Sequence, residues 1–413
     1  MGSVESSVLN APRIFLAAGE ASGEHYGALL IQAIRKLSPE ATFFGLGGQR
    51  MEAAGLHRIV RAEDVAVMGI TEVIHHMPRI YGEYRKLKRS IQETRPGAAV
   101  LIDFPDVNLG LARELHCLRI PVIFFVSPQL WAWKKHRIRQ VQRYVDRMLV
   151  IFPFEQSFYE GHGVAATFVG HPLADLPQPS TSRAEFADKY GLDPKKDWIA
   201  LLPGSRGKEI DLNLPTMLKA AAQLGEDAEF LLPLAPTLTG AQHAKLAEMV
   251  IAATAPITLV GEARDALFHA RASVVASGTA TVEAALIGNP FLVVYRISNL
   301  SYAVAKRVVK VPFVAMVNLI ANREVVPELI QGDFTPANVV LHLRRLLHNE
   351  NDRELMKQDL RQVAAMLQIG DAGGQTNSPK SAIDRVAEIT IELTSQNSRQ
   401  RLESSSNILS KAE

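Results

Sequence analysis

Short runs of consecutive apolar residues, each ending in a small glycine-containing turn, constrain this chain most. Ala272-Ser273-Val274-Val275-Ala276 runs into Ser277-Gly278-Thr279-Ala280-Thr281-Val282-Glu283, and further upstream Ile199-Ala200-Leu201-Leu202 runs into Pro203-Gly204-Ser205-Arg206-Gly207. A strand apolar on successive residues is buried on both faces, which is the habit of parallel sheets covered by helices. Each of these turns also opens a helical pattern. In open parallel sheets ligands bind outside the carboxyl ends of the strands. A helix N-terminus there offers free N–H groups and partial positive charge to a phosphate. Arg206 adds a guanidinium fork suited to a diphosphate, and Glu283, one turn into its helix, is placed to accept from both hydroxyls of a ribose. Gly204, Ser205, Arg206, Ser277, Gly278, Thr279 and Glu283 therefore read together as a nucleotide-diphosphate site.

Strand and helix patterns alternate through most of the chain, so the fold class is α/β. The first series has strands near 13–17, 42–45, 98–102, 121–126, 147–151 and 167–169; the second has them near 199–202, 229–233, 257–260, 272–276 and 291–294. Pro177-Gln178-Pro179-Ser180-Thr181-Ser182 is the linker candidate. The chain has 413 residues, more than one compact core usually holds. The expected division is a Rossmann-like N-terminal domain over 12–180, a second over 186–335, C-terminal helices over 336–394 that return to the N-terminal domain, and a disordered polar tail over 395–413. Pro379 is expected in the first turn of a last helix, where a missing N–H is harmless.

Composition narrows the function classes. Net charge is +2, which gives no global signal for a polyanionic partner. Cys117 is the only cysteine, which excludes an intramolecular disulfide and a thiolate metal cluster and fits a reducing cytoplasm. No apolar run approaches the roughly 18 residues of a membrane span, and no secretory signal is expected at the N-terminus. His75, His76, His136 and His171 lack metal-ligand spacing, so no metal is read.

Further segments carry two readings each. Gly19-Glu20-Ala21-Ser22-Gly23-Glu24 is not a dinucleotide fingerprint; it is either an eased turn or a cleft loop touching a second substrate. Asp103 ends the 98–102 strand and Asp106 follows the Phe104-Pro105 turn; Asp106 caps a helix, whereas Asp103 is either structural or a general base. Gln129 to Arg139 mixes Trp131 and Trp133 with basic residues, as a solvated helix start or an anionic-headgroup site, and no nucleic-acid module surrounds it. Ile70 to Leu87 has an apolar stripe flanked by Arg79, Arg85, Lys86, Lys88 and Arg89, suited to an anionic membrane surface or to packing on the sheet. Pro78 predicts a break or kink there. The Tyr302–Lys310 stretch is a weaker basic amphipathic candidate.

Seven segments in order resemble the lipid-A-disaccharide synthase family: Ala18 to Glu24, Val67 to Ile70, Ile102 to Asn108, Val126 to Trp133, Leu202 to Arg206, Ala276 to Ala280 and Asn318 to Glu324. The resemblance covers about residues 13 to 390. It implies an inverting glycosyltransferase with two facing Rossmann-like domains (glycosyltransferase-B type), needing neither metal nor cofactor. The implied donor is UDP-2,3-diacylglucosamine, the acceptor 2,3-diacylglucosamine 1-phosphate, and the products UDP and the lipid A disaccharide 1-phosphate. The family's catalytic aspartate matches Asp103, its UDP contacts match Arg206 and Glu283, and a functionally important asparagine matches Asn318. The implied setting is the cytoplasmic face of the inner membrane, with a homodimer left open and nucleic acid excluded. Lys208 and Asn322 depart from the family's pattern. Two other readings remain: a UDP-N-acetylglucosamine 2-epimerase, which shares the two-domain layout, and a non-catalytic nucleotide-sugar binder at a membrane surface.

Overall fold

The computed structural model describes residues 11–65, 70–225, 228–235, 238–309, 311–369 and 380–409. Val67 to Gly69, Lys310, Pro379 and the side chains of His75 and His76 fall outside that description. The chain forms two compact units, Met1–Pro172 with Ile369–Glu413, and Leu173–Gln368.

The first unit is built on a parallel seven-stranded sheet. Its strands are β1 (Arg13–Ala18), β2 (Thr42–Gly47), β3 (Leu56–Arg61), β4 (Ala98–Ile102), β5 (Val122–Phe125), β6 (Arg147–Val150) and β7 (Ala166–Phe168), in the order β3-β2-β1-β4-β5-β6-β7. The order reverses between β1 and β4, which pair in parallel with Ala18 opposite Ile102. All five β4 residues are fully buried, as a run apolar on consecutive positions requires. Phe15, Leu101, Phe124 and Val150 share one core with Leu87 and Ile91 of the Ile70–Thr94 helix.

That helix runs unbroken through Pro78, contrary to the expected break. Leu87 and Ile91 are 1% and 0% exposed, and anchoring of this half on the sheet holds the helix against the roughly 3 kcal/mol penalty of an interior proline. The choice between sheet packing and a free amphipathic face therefore splits along the helix, with Leu87 buried and Tyr81 exposed. Most of the basic residues here are paired: Arg79 with Asp64, Lys86 with Glu83, Lys88 with Glu114 and Arg89 with Glu93.

The second unit carries β8 (Asp197–Leu202), β9 (Ala228–Pro233), β10 (Ile257–Val260), β11 (Ala272–Ala276), β12 (Phe291–Tyr295) and β13 (Glu328–Ile330), parallel in the order β10-β9-β8-β11-β12-β13. Its reversal lies between β8 and β11, where Leu202 sits opposite Val275. Ile199, Leu201, Val274 and Leu292 form a core with Leu214 and Met217 of the Gly207–Leu224 helix.

The C-terminal segments differ from expectation in two ways. The Pro336–His348 helix inserts Val339, Leu343, Leu346 and Leu347 into the second unit's core, and the Glu350–Met366 helix follows within that unit. Only the Ala382–Leu409 helix joins the first unit, against the Ala21–Leu37 helix and β4. That helix also continues through most of the stretch expected to be disordered. Thr390 and Thr394 are buried and bond back to the carbonyls of Val386 and Thr390, while Asn397 donates to Gly97 O at 2.7 Å. Hydrogen bonds from polar residues thus join the apolar anchors Ile383, Val386 and Ala387 in ordering this helix.

Candidate functional site

In the second unit the two glycine turns leave neighbouring strands at the reversal of strand order, where open α/β sheets bind ligands. The turn after β8 demands Gly204: its φ is 121°, and a Cβ there would lie 2.5 Å from Glu209 Oε2. Ser205 and Arg206 follow on the surface, and the Gly207–Leu224 helix begins. Glu209, in that helix's first turn, accepts from the backbone N–H groups of Ser205 and Arg206 at 3.1 and 3.3 Å. Its other oxygen stands 3.8 Å from Arg206 Nη1. A carboxylate therefore occupies this amide nest, a concavity of the kind that suits an anionic oxygen. Asn213 fixes the turn from below: fully buried, it donates to Pro203 O at 3.0 Å and accepts from Arg296 N at 3.2 Å.

The turn after β11 needs glycine too, since Gly278 has φ 150°. A Cβ at Gly278 would meet nothing within 4 Å, so the N-terminus of the Thr279–Ile287 helix is open to approach. Ser277 Oγ donates to Val314 O at 3.2 Å. Glu283 is partly covered; burial pushes its carboxyl above the ordinary value, Arg264 pulls it back and Glu262 pushes it up further.

Asn318 is fully buried, and both ends of its amide are engaged inside the unit. Its nitrogen donates to Val326 O and Glu328 Oε1, both at 2.9 Å, and its oxygen accepts from Val325 N and Val326 N at 2.8 and 3.0 Å. Glu328 in turn accepts from the backbone N–H groups of Val314 and Ala315. Asn318 thus reaches the Ser277 turn through Glu328 and Val314.

In the first unit the carboxyl ends of β1 and β4 meet at its own reversal of strand order. Asp103, at the tip of β4, has φ 48° and Phe104 has φ 49°. Two successive left-handed residues other than glycine are costly and persist only where the surroundings enforce them. The enforcement is visible. Asp103 N donates to Phe125 O at 2.9 Å, and buried Asn108 donates to Asp103 O at 2.7 Å. Phe104 lies against Gly19, where a Cβ would come within 2.3 Å of its ring. Pro105 then starts the Pro105–Cys117 helix, and Asp106, exposed, pairs with Arg137 at 2.5 Å and Lys134 at 3.5 Å.

Next to Asp103, the end of β5 carries Val126 with φ 63° and then Ser127. Glu155 anchors this loop from below, accepting from Ser127 Oγ at 2.6 Å and Trp131 Nε1 at 3.0 Å. Burial lifts the Glu155 carboxyl to about 7 even though these donors pull it down. Trp133 is exposed, with Lys134 Nζ 4.1 Å from its ring centre.

Glu209, Asn213, Glu328, Asn108 and Glu155 were not singled out from sequence. Glu209 and Glu155 carry a local signal, an acid at the third position of a helix, where N-termini favour one. Among the described residues no group of three His, Cys, Asp or Glu side chains is gathered to hold a metal ion. No helix among them is long and apolar enough to cross a membrane.

A family profile described as lipid-A-disaccharide synthetase matches residues 14–377. A lipid-A-disaccharide synthase of Acidobacterium capsulatum is 63% identical over 395 residues, covering 93% of this chain and 97% of that protein. One from Koribacter versatilis is 50% identical over 377 residues, covering 91% and 97%. Among solved structures, UDP-GlcNAc 2-epimerase from Neisseria meningitidis bound to UDP-GlcNAc aligns with TM-score 0.59 at 12% identity, covering 92% of this chain and all of that one (100%). The glycosyltransferase of kitacinnamycin aligns with TM-score 0.58 at 13% identity, covering 93% and 99%. At such identities the structural likeness concerns the fold.

Proposed function

The chain belongs to the lipid-A-disaccharide synthetase family, and on that premise we propose that it transfers 2,3-diacylglucosamine from UDP to the 6-hydroxyl of 2,3-diacylglucosamine 1-phosphate, with inversion. The observation that carries this reading is the pair of glycine turns on hydrogen-bonded neighbours β8 and β11 at the reversal of strand order. Amides of the Gly204-Ser205-Arg206 turn and of the open helix at Thr279, with the Arg206 guanidinium, take the diphosphate. Glu283 takes the ribose hydroxyls.

The proposed bond changes balance without an added reactant. Asp103 accepts the proton of the acceptor's 6-hydroxyl as that oxygen attacks the anomeric carbon. The bond from that carbon to the diphosphate oxygen breaks, its electron pair leaves with UDP, and the new linkage is β-1′,6. Negative charge grows on the leaving diphosphate, and fixed donors aimed at it supply the stabilisation. Asn318 serves as a positioning residue through Glu328 and the Val314 segment.

Acylated substrates partition into a bilayer, so the enzyme works at its surface, at the cytoplasmic face of the inner membrane. The exposed Tyr81, with Arg85 5.9 Å from its ring centre, fits such contact. The deciding experiment supplies purified protein with each acylated sugar alone and with both. UDP release only when both are present supports the transferase. Conversion of UDP-N-acetylglucosamine without an acceptor would instead support the epimerase reading, and binding of UDP-sugar with no release in any mixture would leave only a binder.

A further inference from the structure

The second unit has another concave site, at the amino-terminal edge of its sheet. The segments leading into β8, β11 and β12 enclose a cavity of about 480 Å³ with the Glu350–Met366 helix. This volume falls in the roughly 300–1,000 Å³ span of small-molecule sites. β8 has six residues, so at about 3.3 Å per residue its two ends lie about 17 Å apart. The cavity is therefore separate from the turns that follow β8 and β11.

Its lining is unusually basic. Arg183, Lys195, Lys196, Arg271, Arg353 and Lys357 line it, against the single carboxylate of Asp197. Several of these charges are partly balanced: Arg271 by Asp197 at 3.3 Å, Lys357 by Glu354 at 2.8 Å, Lys196 by Glu229 at 3.9 Å, and Arg353 by Glu350. Arg183 is held differently. Its guanidinium donates to the carbonyls of Pro194, His269 and Lys196 and stacks 3.6 Å from the Trp198 ring centre. Neutral carbonyls make its hydrogen bonds, and the carboxylates of Asp197 and Glu229 act on its charge only through space. Lys195 has no carboxylate partner among the described residues, and its side chain is exposed.

A fixed guanidinium and a free ammonium in one basic basin form a recognition set for a phosphate group. We propose that this basin is a second anion site, which takes a phosphate ester and is independent of the nucleotide turns. The ester is either a phospholipid headgroup at the membrane surface or a free sugar phosphate; the chemistry of recognition is shared.

The test titrates inorganic phosphate into the full chain saturated with UDP, so that the nucleotide turns are occupied. Residual phosphate binding is expected, and the Lys195→Ala/Lys196→Ala double variant should weaken it at least fivefold while leaving UDP affinity and the melting temperature unchanged. No residual binding in the wild-type protein, or equal binding in the variant, would overturn the proposal. Vesicles of phosphatidylcholine with and without phosphatidylglycerol then separate the sources. Loss of phosphatidylglycerol-dependent binding in the variant assigns the headgroup. Vesicle binding that is absent or unchanged, alongside lost phosphate binding, assigns the soluble ester.

Discussion

Asp103 shows what a single residue owes to its backbone. Its left-handed φ and that of Phe104 turn the chain sharply at the tip of β4, with Asn108 holding the turn from beneath. Replacement by asparagine keeps the shape and removes the proposed base, so Asp103→Asn should lower kcat by roughly 10²–10⁴ with an unchanged circular dichroism spectrum. An unaltered kcat would remove the residue from the base role. Glu209 makes the opposite case. Its carboxylate lies on the amides of Ser205 and Arg206, so a diphosphate bound there as proposed must displace it. Glu209→Gln should therefore tighten UDP binding by about three- to tenfold, a gain of about 1 kcal/mol typical of one net hydrogen bond; calorimetry showing weaker binding would make the carboxylate a support of the turn instead. Gly204 and Gly278 were legible in the sequence because strand-ending glycines beside hydroxyls have few other uses. Asn318 was not legible in its mode of action, since nothing in a sequence tells a buried asparagine with a full set of partners from one that touches ligand.

At the scale of elements, fully apolar strands were easy to read, whereas two of the four edge strands were not. β3 is Leu-His-Arg-Ile-Val-Arg at one edge of its sheet, and β13 has only three residues at an edge of the other. An edge strand buries less, so it needs no continuous apolar run, and both escaped the sequence reading. The helix through Pro78 escaped because tertiary anchoring at Leu87 and Ile91 outweighs local propensity. The last helix was read as far as 394, and its continuation to Leu409 escaped for a different reason. Its buried face mixes Ile383, Val386 and Ala387 with Thr390, Thr394 and Asn397, and composition alone marks such a stretch as polar. Val386 is fully buried, so Val386→Asp should destabilise the first unit by at least about 3 kcal/mol, as an unpaired buried charge does. Urea denaturation checks this, with exposed Gln396→Ala as a control expected within about 0.5 kcal/mol of wild type.

For the molecule as a whole, two buried groups of the first unit give stability opposite slopes against pH. Burial holds His171 down at about 3. The unfolded chain then binds the extra proton below about 6.5, so stability falls as pH drops from there toward 3. Glu155 is raised to about 7 from an ordinary 4.5. The folded state holds that proton while the unfolded state has lost it, so its contribution is complete below about 4.5 and declines as pH rises to 7. The two slopes oppose each other between about pH 4.5 and 6.5. Glu155→Gln removes one of them: relative to wild type, its stability should rise from pH 4.5 to pH 7 by on the order of 1–3 kcal/mol, measured by urea denaturation at each pH. A constant difference across that range would refute the assignment.

The return of the Ala382–Leu409 helix to the first unit makes residues 173–368 an insertion within it. On the ribosome, the usual order in which the leading domain matures first is therefore reversed. The middle of the chain is complete while the enclosing unit still awaits the helix that covers Ala21–Leu37. A nascent chain stalled after residue 368 has emerged should resist protease across its middle and be cut in its leading segment, so the half bearing Asp103 matures last.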